Sequence, residues 1–111
     1  MDDLTALARH QLDDARASAH GRSAHLFVHD GPLRQTVIAL TSGSSLDEHN
    51  TPPAASLQVL HGRVRLTKKS GDQDMIAGQM GPLPHERHGL KALEDSAVLL
   101  TAVTEVRATS R

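Results

Sequence analysis

The 111-residue sequence has no cysteine, no tryptophan and no tyrosine, and Phe27 is its single phenylalanine. Without cysteine the chain forms no disulfide, has no thiolate nucleophile and offers no cysteine ligand to zinc. With Phe27 alone, it lacks the set of aromatic stacking platforms on which single-stranded nucleic acids bind. The core must therefore be aliphatic, and the composition argues against base-stacking nucleic-acid modules.

Strong charge and long apolar runs are missing as well. The formal net charge is −1, and no run of lysine and arginine marks a surface for a phosphate backbone. No stretch approaches the ~18 apolar residues of a membrane-spanning helix. The opening MDDLTAL is acidic where a signal peptide is basic. We therefore predict a cytoplasmic, single-domain protein with no nucleic-acid partner and no membrane association.

The first residues predict a helix over 3–19. Leucine and alanine recur at helical spacing and form one thin apolar stripe. Its members are Leu4, Leu7, Ala8, Leu12 and Ala15. Asp2 or Asp3 can cap the start of this helix, and Gly21 can end it. Because the stripe is thin, we expect the helix to lie on a larger body or on a partner subunit.

After this helix the apolar period shortens to that of β-strands. The runs are separated by glycine, proline, aspartate and serine, as in an antiparallel sandwich or barrel. The predicted strands cover 23–29, 34–41, 54–60, 63–68, 73–76, 88–93 and 97–106, with TSGSSLDE and GQMGPLP as breakers. We predict a mainly β, antiparallel jelly-roll barrel over 22–106, an N-terminal α-helix within 1–21 and a flexible tail over 107–111.

Alternation along the strands predicts an apolar barrel interior. The inward residues of two successive strands would be Ala55, Leu57, Val59, Val64 and Leu66. Strand 34–41 is apolar on both faces, so we expect the N-terminal helix or a second subunit to cover its outer face. Because two-fold dimers are the commonest assembly, we predict a homodimer.

Residues 43–62 resemble the first motif of the cupin superfamily of small β-barrel proteins. That motif reads Gly, five residues, His-x-His, three or four residues, Glu, six residues, Gly. Gly43 and Gly62 keep its spacing, and His49 stands at the first histidine. Thr51 replaces the second histidine and Ala55 replaces the glutamate.

Residues 78–88 resemble the second cupin motif, in which Gly, five residues and Pro precede a histidine. Gly78, Pro84 and His88 match it, with one residue fewer than usual between the proline and the histidine. The resemblance covers residues 22–106 and implies an RmlC-like cupin barrel. In metal-binding cupins this pattern implies Fe, Mn, Ni, Cu or Zn held by His, His, Glu and His.

The resemblance implies an interior pocket lined by four residues, namely His49, Thr51, Ala55 and His88. Threonine is a poor metal ligand and alanine is none, whereas tight sites use three or more protein ligands. His85 is a candidate third metal ligand beside His49 and His88 if its loop bends, because odd spacing along a strand sends side chains to opposite faces.

Three functions stay open, because fold alone does not settle function. The first is a cupin-like barrel with a degenerate metal site that binds a small molecule or has a non-catalytic role. The second, implied by the resemblance, is a metal-dependent enzyme of oxygenase or isomerase type that uses His49, His88 and a third ligand such as His85. The third is a structural or interaction module. Whether the protein is an enzyme stays open.

Overall fold

The computed structural model describes residues 1–49 and 52–104, without the side chains of Glu48 and His49. Within these ranges the chain forms one helix, α1 (Leu4–Ala17), followed by strands only. The strands are β1 (Arg22–Asp30), β2 (Leu33–Leu40), β3 (Ser45–His49), β4 (Ala54–His61), β5 (Arg63–Lys68), β6 (Gln73–Ile76), β7 (Met80–Pro82), β8 (His88–Ala92) and β9 (Ser96–Val103). The helix has 14 residues and is neither long nor apolar enough to cross a membrane.

The strands form two sheets, and every strand pair among the described residues is antiparallel. The larger sheet has the order β1-β2-β9-β4-β7, and the smaller has the order β3-β8-β5-β6. Consecutive strands β4 and β5 belong to different sheets and are joined through Gly62. The predicted antiparallel jelly-roll barrel with an N-terminal helix is thereby confirmed.

The main core lies between the two sheets. Its buried members come from both of them and are Leu40, Leu57, Val59, Val64, Leu66, Met75, Leu83, Leu90, Ala92 and Val98. The predicted interior residues of β4 and β5 are all here, with Ala55 half-buried against them. The alternation read from the sequence therefore assigned the inner face of these strands correctly.

Helix α1 lies on the outer face of the larger sheet. The Asp3 carboxylate caps its start by accepting a hydrogen bond from the Thr5 backbone N–H at 3.0 Å. Its buried face (Ala8, Leu12 and Ala15) packs on Ala39 of β2 and Ala97 of β9. The helix of the same chain thus covers the outer face of β2. It ends at Ala17, two residues before the predicted end, where the backbone becomes extended at Ser18.

Two strands were wrongly predicted as breakers. β3 carries a single apolar residue, Leu46, so polar neighbours conceal its alternation. β7 has only three residues, including Gly81 and Pro82, and lies at the edge of its sheet, where proline is tolerated. The predicted last strand reached 106, but β9 is described only to Val103; residues 105–106 and the predicted tail 107–111 lie outside the described residues.

The two ends of the barrel differ in how they are held. We call residues 41–44, 61–63 and 92–96 the closed end. There the buried Ser96 hydroxyl accepts from the Arg63 N–H at 3.0 Å, and the Asp95 carboxylate accepts from the Ser42 N–H at 2.8 Å. The opposite end, which we call the His88 end, carries the start of β4 and the start of β8.

Candidate functional site

His88 is the buried polar residue of the His88 end, with 4% of its surface exposed. Its Nδ1 lies 3.0 Å from the backbone oxygen of Glu86. Because a carbonyl oxygen only accepts, Nδ1 carries the proton in this contact, so that Nε2 is the acceptor whenever the ring is neutral. A nitrogen of this kind can accept a hydrogen bond from a ligand or coordinate a metal ion.

The Glu86 side chain fastens the segment that orients His88. Its carboxylate accepts hydrogen bonds from the Ser70 hydroxyl at 2.6 Å and the Ser70 N–H at 3.2 Å. These two hydrogen bonds lower the pKa of Glu86, and the bond from the Ser70 hydroxyl has the larger effect. The β5–β6 hairpin tip therefore supports the backbone carbonyl that fixes the imidazole ring. The sequence alone does not reveal this contact, because Ser70 and Glu86 are 16 residues apart and belong to no local motif.

The pairing of β3 with β8 places the two predicted histidine positions opposite each other. His49 and His88 are Cα partners in this ladder, after an irregularity that follows Leu46. The side chain of His49 and the whole of Thr51 lie outside the described residues. The fold thus brings the backbones of two predicted site residues together across a strand pair.

Ala55 and His85 have different surroundings. Ala55 lies half-buried on β4, and its carbonyl oxygen accepts a hydrogen bond from the Leu83 N–H at 2.9 Å. This bond places the start of β4 beside the connection that leads to His88. His85 lies on the same connection but is exposed, whereas His88 is buried.

The side chains that the structure describes around His88 do not form a metal site. Ala55 presents a methyl group at the position where the cupin motif has a carboxylate. Among the side chains that the structure describes, no group of three histidine, aspartate or glutamate residues converges. Since tightly held metal ions need three or more protein ligands, these residues do not fit one.

A small cavity lies inside the barrel beside His88. The space open to the centre of a water molecule is about 40 Å³. One water needs roughly 10–15 Å³ by this measure, so the cavity holds a few waters or one small chemical group. Apart from His88 its lining is apolar and consists of Ile38, Leu46, Leu57, Leu66, Leu83, Gly89, Leu90 and Leu100. One imidazole in an apolar enclosure suits a compact ligand with one polar group.

A larger groove opens between the sheet edges formed by β6 and β7. By the same measure its volume is about 450 Å³, within the roughly 300–1,000 Å³ of ordinary ligand sites. Leu57, Leu66 and Leu83 line both the groove and the cavity. These three leucines therefore stand between the groove and the cavity beside His88.

No protein-family model and no curated protein matches the chain. Solved structures do match it. A conserved protein of unknown function from Streptococcus pyogenes is 24% identical, with a TM-score of 0.72 over 81% of this chain and 80% of that one. An RmlC-like cupin protein from Desulfovibrio desulfuricans is 18% identical, with a TM-score of 0.68 over 77% and 84%.

The salicylate 1,2-dioxygenase of Pseudaminobacter salicylatoxidans also contains this fold. It is 16% identical, with a TM-score of 0.76 over 88% of this chain but only 33% of that one. The architecture is therefore that of a small antiparallel jelly-roll barrel, and this protein has the cupin fold. At these identities the likeness establishes the fold and leaves ligand and reaction open.

Proposed function

We propose that this protein is a cupin-like barrel that binds a small molecule without a metal ion, in the cavity beside His88. The observation that carries the proposal is a buried imidazole in an otherwise apolar interior. The Glu86 carbonyl accepts a hydrogen bond from Nδ1 of His88 and so orients the ring. We infer a ligand with a compact apolar body and one hydroxyl or amide donor.

The size of the cavity limits this ligand further. A space of about 40 Å³ accepts only a small group, whereas the adjoining groove of about 450 Å³ accepts a whole molecule. A ligand of ordinary size would therefore place its donor at His88 and extend past Leu57, Leu66 and Leu83 into the groove. The two glutamines of the groove, Gln73 and Gln79, suit an uncharged polar end.

A fragment screen read by melting temperature and by leucine-methyl NMR tests this proposal. A ligand that binds only the folded state raises the melting temperature. We expect saturable binding with shifts at Leu57, Leu66 and Leu83, and its loss in His88→Leu, which removes the imidazole but fills its space. His85→Ala is the matched control, because this histidine is exposed on the same connection.

Two outcomes would count against a ligand at His88. Equal binding by His88→Leu and the parent protein would place the ligand elsewhere. No response from the interior leucines to any fragment would favour the structural or interaction module.

A metal-dependent enzyme of oxygenase or isomerase type is the second candidate, favoured by the pairing of His49 with His88 in the β3–β8 ladder. Its test is the metal content of protein purified without a histidine tag, for the parent chain and for His49→Ala and His88→Ala. If the parent chain contains near-stoichiometric Fe, Mn, Ni, Cu or Zn and both variants lose it, the metal-dependent enzyme replaces the metal-free proposal. Failure of the parent chain to bind added metal at micromolar concentration would reject this enzyme.

A further inference from the structure

A second groove lies between α1 and β4, at the closed end and on the outside of the barrel. We call it the α1 groove; its volume is about 380 Å³. Its apolar floor is formed by Leu4, Leu12 and Leu60, and cationic or titratable side chains surround it, namely Arg9, Arg16 and His61. The groove shares no lining residue with the interior cavity beside His88, so the two are separate.

Arg16 is held in place beside the floor. Its Nε donates to Asp95 Oδ2 at 3.0 Å, while Asp95 Oδ1 accepts from the Ser42 N–H. Asp13 lies 3.5 Å from one terminal nitrogen of Arg16. Both oxygens of Asp95 are thus engaged, and the Arg16 side chain is still 50% exposed. Arg16 thus already has two carboxylate partners, which offset its positive charge and hold it at the edge of the groove.

Arg9 supplies a second positive charge about two helical turns before Arg16, on the same side of α1. Its side chain forms no hydrogen bond or ion pair with any residue in the described part of the chain. Among the described residues, no aspartate or glutamate lines the groove itself. The groove therefore combines an apolar floor with one cation at its edge, Arg9, whose side chain has no partner among the described residues, and its volume matches that of ordinary small-molecule sites.

We propose that the α1 groove binds an amphipathic carboxylate, with an aliphatic chain on the leucine floor and the carboxylate at Arg9. Arginine binds carboxylates through parallel N–H donors, so it favours this head group over a neutral one. The apolar chain gains affinity from each methylene that leaves water. A fatty acid of medium length has both features.

Titration with hexanoate, octanoate and decanoate, below their micellar concentrations, tests the proposal. We expect the Kd to fall about fourfold for each added methylene until the floor is filled. Octanol should bind at least tenfold more weakly than octanoate. Leucine-methyl NMR should show shifts at Leu4, Leu12 and Leu60.

Arg9→Glu provides the decisive variant, because the exposed side chain contributes little to folding. It should weaken octanoate binding at least tenfold. Lys69→Glu, the same charge reversal at the exposed β5–β6 hairpin tip, should leave the Kd unchanged. Retained binding in both variants would overturn the role of Arg9.

Three further results would also overturn the proposal. The first is no binding at millimolar carboxylate, and the second is methyl shifts at Leu57, Leu66 and Leu83 instead. The third is a dimer in sedimentation that Arg9→Glu dissociates, which would assign the groove to a second copy of the chain.

Discussion

Three glycines at the motif positions are explained by the backbone alone. Gly43, Gly62 and Gly78 have φ values of +86°, +83° and +92°, which side chains of L-residues rarely adopt. By contrast, Thr51 and Ala55 occupy positions where metal-binding cupins have ligands. The residues that bend the backbone thus match the motif, whereas half of the ligand residues do not.

Gly62→Ala should be much more destabilising than Gly31→Ala. Both positions have positive φ, which costs an L-residue about 1–2 kcal/mol. A Cβ at Gly62 would also overlap the Asp95 carbonyl oxygen and Ser96, whereas a Cβ at Gly31 meets open space. We expect Gly62→Ala to cost about 1–3 kcal/mol more than Gly31→Ala.

Urea unfolding followed by circular dichroism measures this difference, because the chain has no tryptophan to report by fluorescence. Equal losses in the two variants would show that the tight contact of the β4–β5 turn with Ser96 does not contribute to stability.

Ala55→Glu should create a metal response that the parent chain lacks. Without metal, a carboxylate in this half-buried place should cost about 1–3 kcal/mol. If the cupin-like backbone still aims three ligand positions at one point, added Ni²⁺ or Zn²⁺ should restore the melting temperature. Adding His88→Ala should remove this recovery, and Ser56→Glu on the same strand serves as a control. If added metal does not change the melting temperature of Ala55→Glu, the ligand geometry is lost as well.

At the scale of elements, the helices and strands that could be predicted from the sequence are those in which apolar residues recur at a regular spacing. α1 and seven strands were found close to their observed bounds, because leucine spacing and strand alternation are local signals. β3 and β7 were missed, since each depends on its partner strand rather than on its own composition. The close approach of α1 to the sheet likewise depends on Ala39 and Ala97, which are far away in sequence.

Ala15→Leu should weaken the packing of α1 on the larger sheet. Ala15 is fully buried against small residues, so three added carbons would overpack the contact and cost about 1–3 kcal/mol. Ala17→Leu, two residues further on and exposed, should change the unfolding free energy by less than about 0.5 kcal/mol. Chemical denaturation of both variants measures the contrast, and similar values would mean that α1 is only loosely attached.

The contact between Ser70 and Glu86 should make the β7–β8 connection sensitive to acid. Because the folded protein lowers the pKa of Glu86, its contribution is complete above the ordinary pKa of about 4.3 and is lost as the pH falls through the lowered value. Glu86→Gln cannot titrate. The difference in melting temperature between the parent chain and this variant should therefore shrink on acidification below about pH 4.

Asp74 and Asp95 also have lowered pKa values, owing to hydrogen bonds from Arg65 and from Ser42 respectively. Both carboxylates are present in the parent chain and in Glu86→Gln, so their contributions cancel in the difference in melting temperature. A difference that stays constant with pH would contradict the role of the ionised carboxylate.

At the scale of the whole molecule, the homodimer stays a prediction. The burial of Ala39 does not require a second subunit, because the larger sheet is covered there by α1 of the same chain. We expect sedimentation equilibrium to give twice the chain mass of 11.9 kDa. The melting temperature should then rise with protein concentration. The dimer would be rejected if the measured mass is that of one chain and the melting temperature does not change with protein concentration.

The candidate site was only partly predictable. The spacing of the motifs identified His49 and His88, whose backbones the β3–β8 ladder pairs. The size of the cavity could not be foreseen, because it depends on how leucines of several strands fill the interior. The support of His88 by Glu86 was equally hidden, since it passes through a backbone carbonyl and a distant serine.

The closed end has a consequence for how such a sequence can change over time. Its hydrogen bonds from Ser42 and Arg63 and its tight turn at Gly62 secure the barrel at the end away from His88. Mutations among the ligand positions can therefore accumulate while the chain still folds. The residues at the His88 end can thus be exchanged without rebuilding the bonds that hold the closed end together.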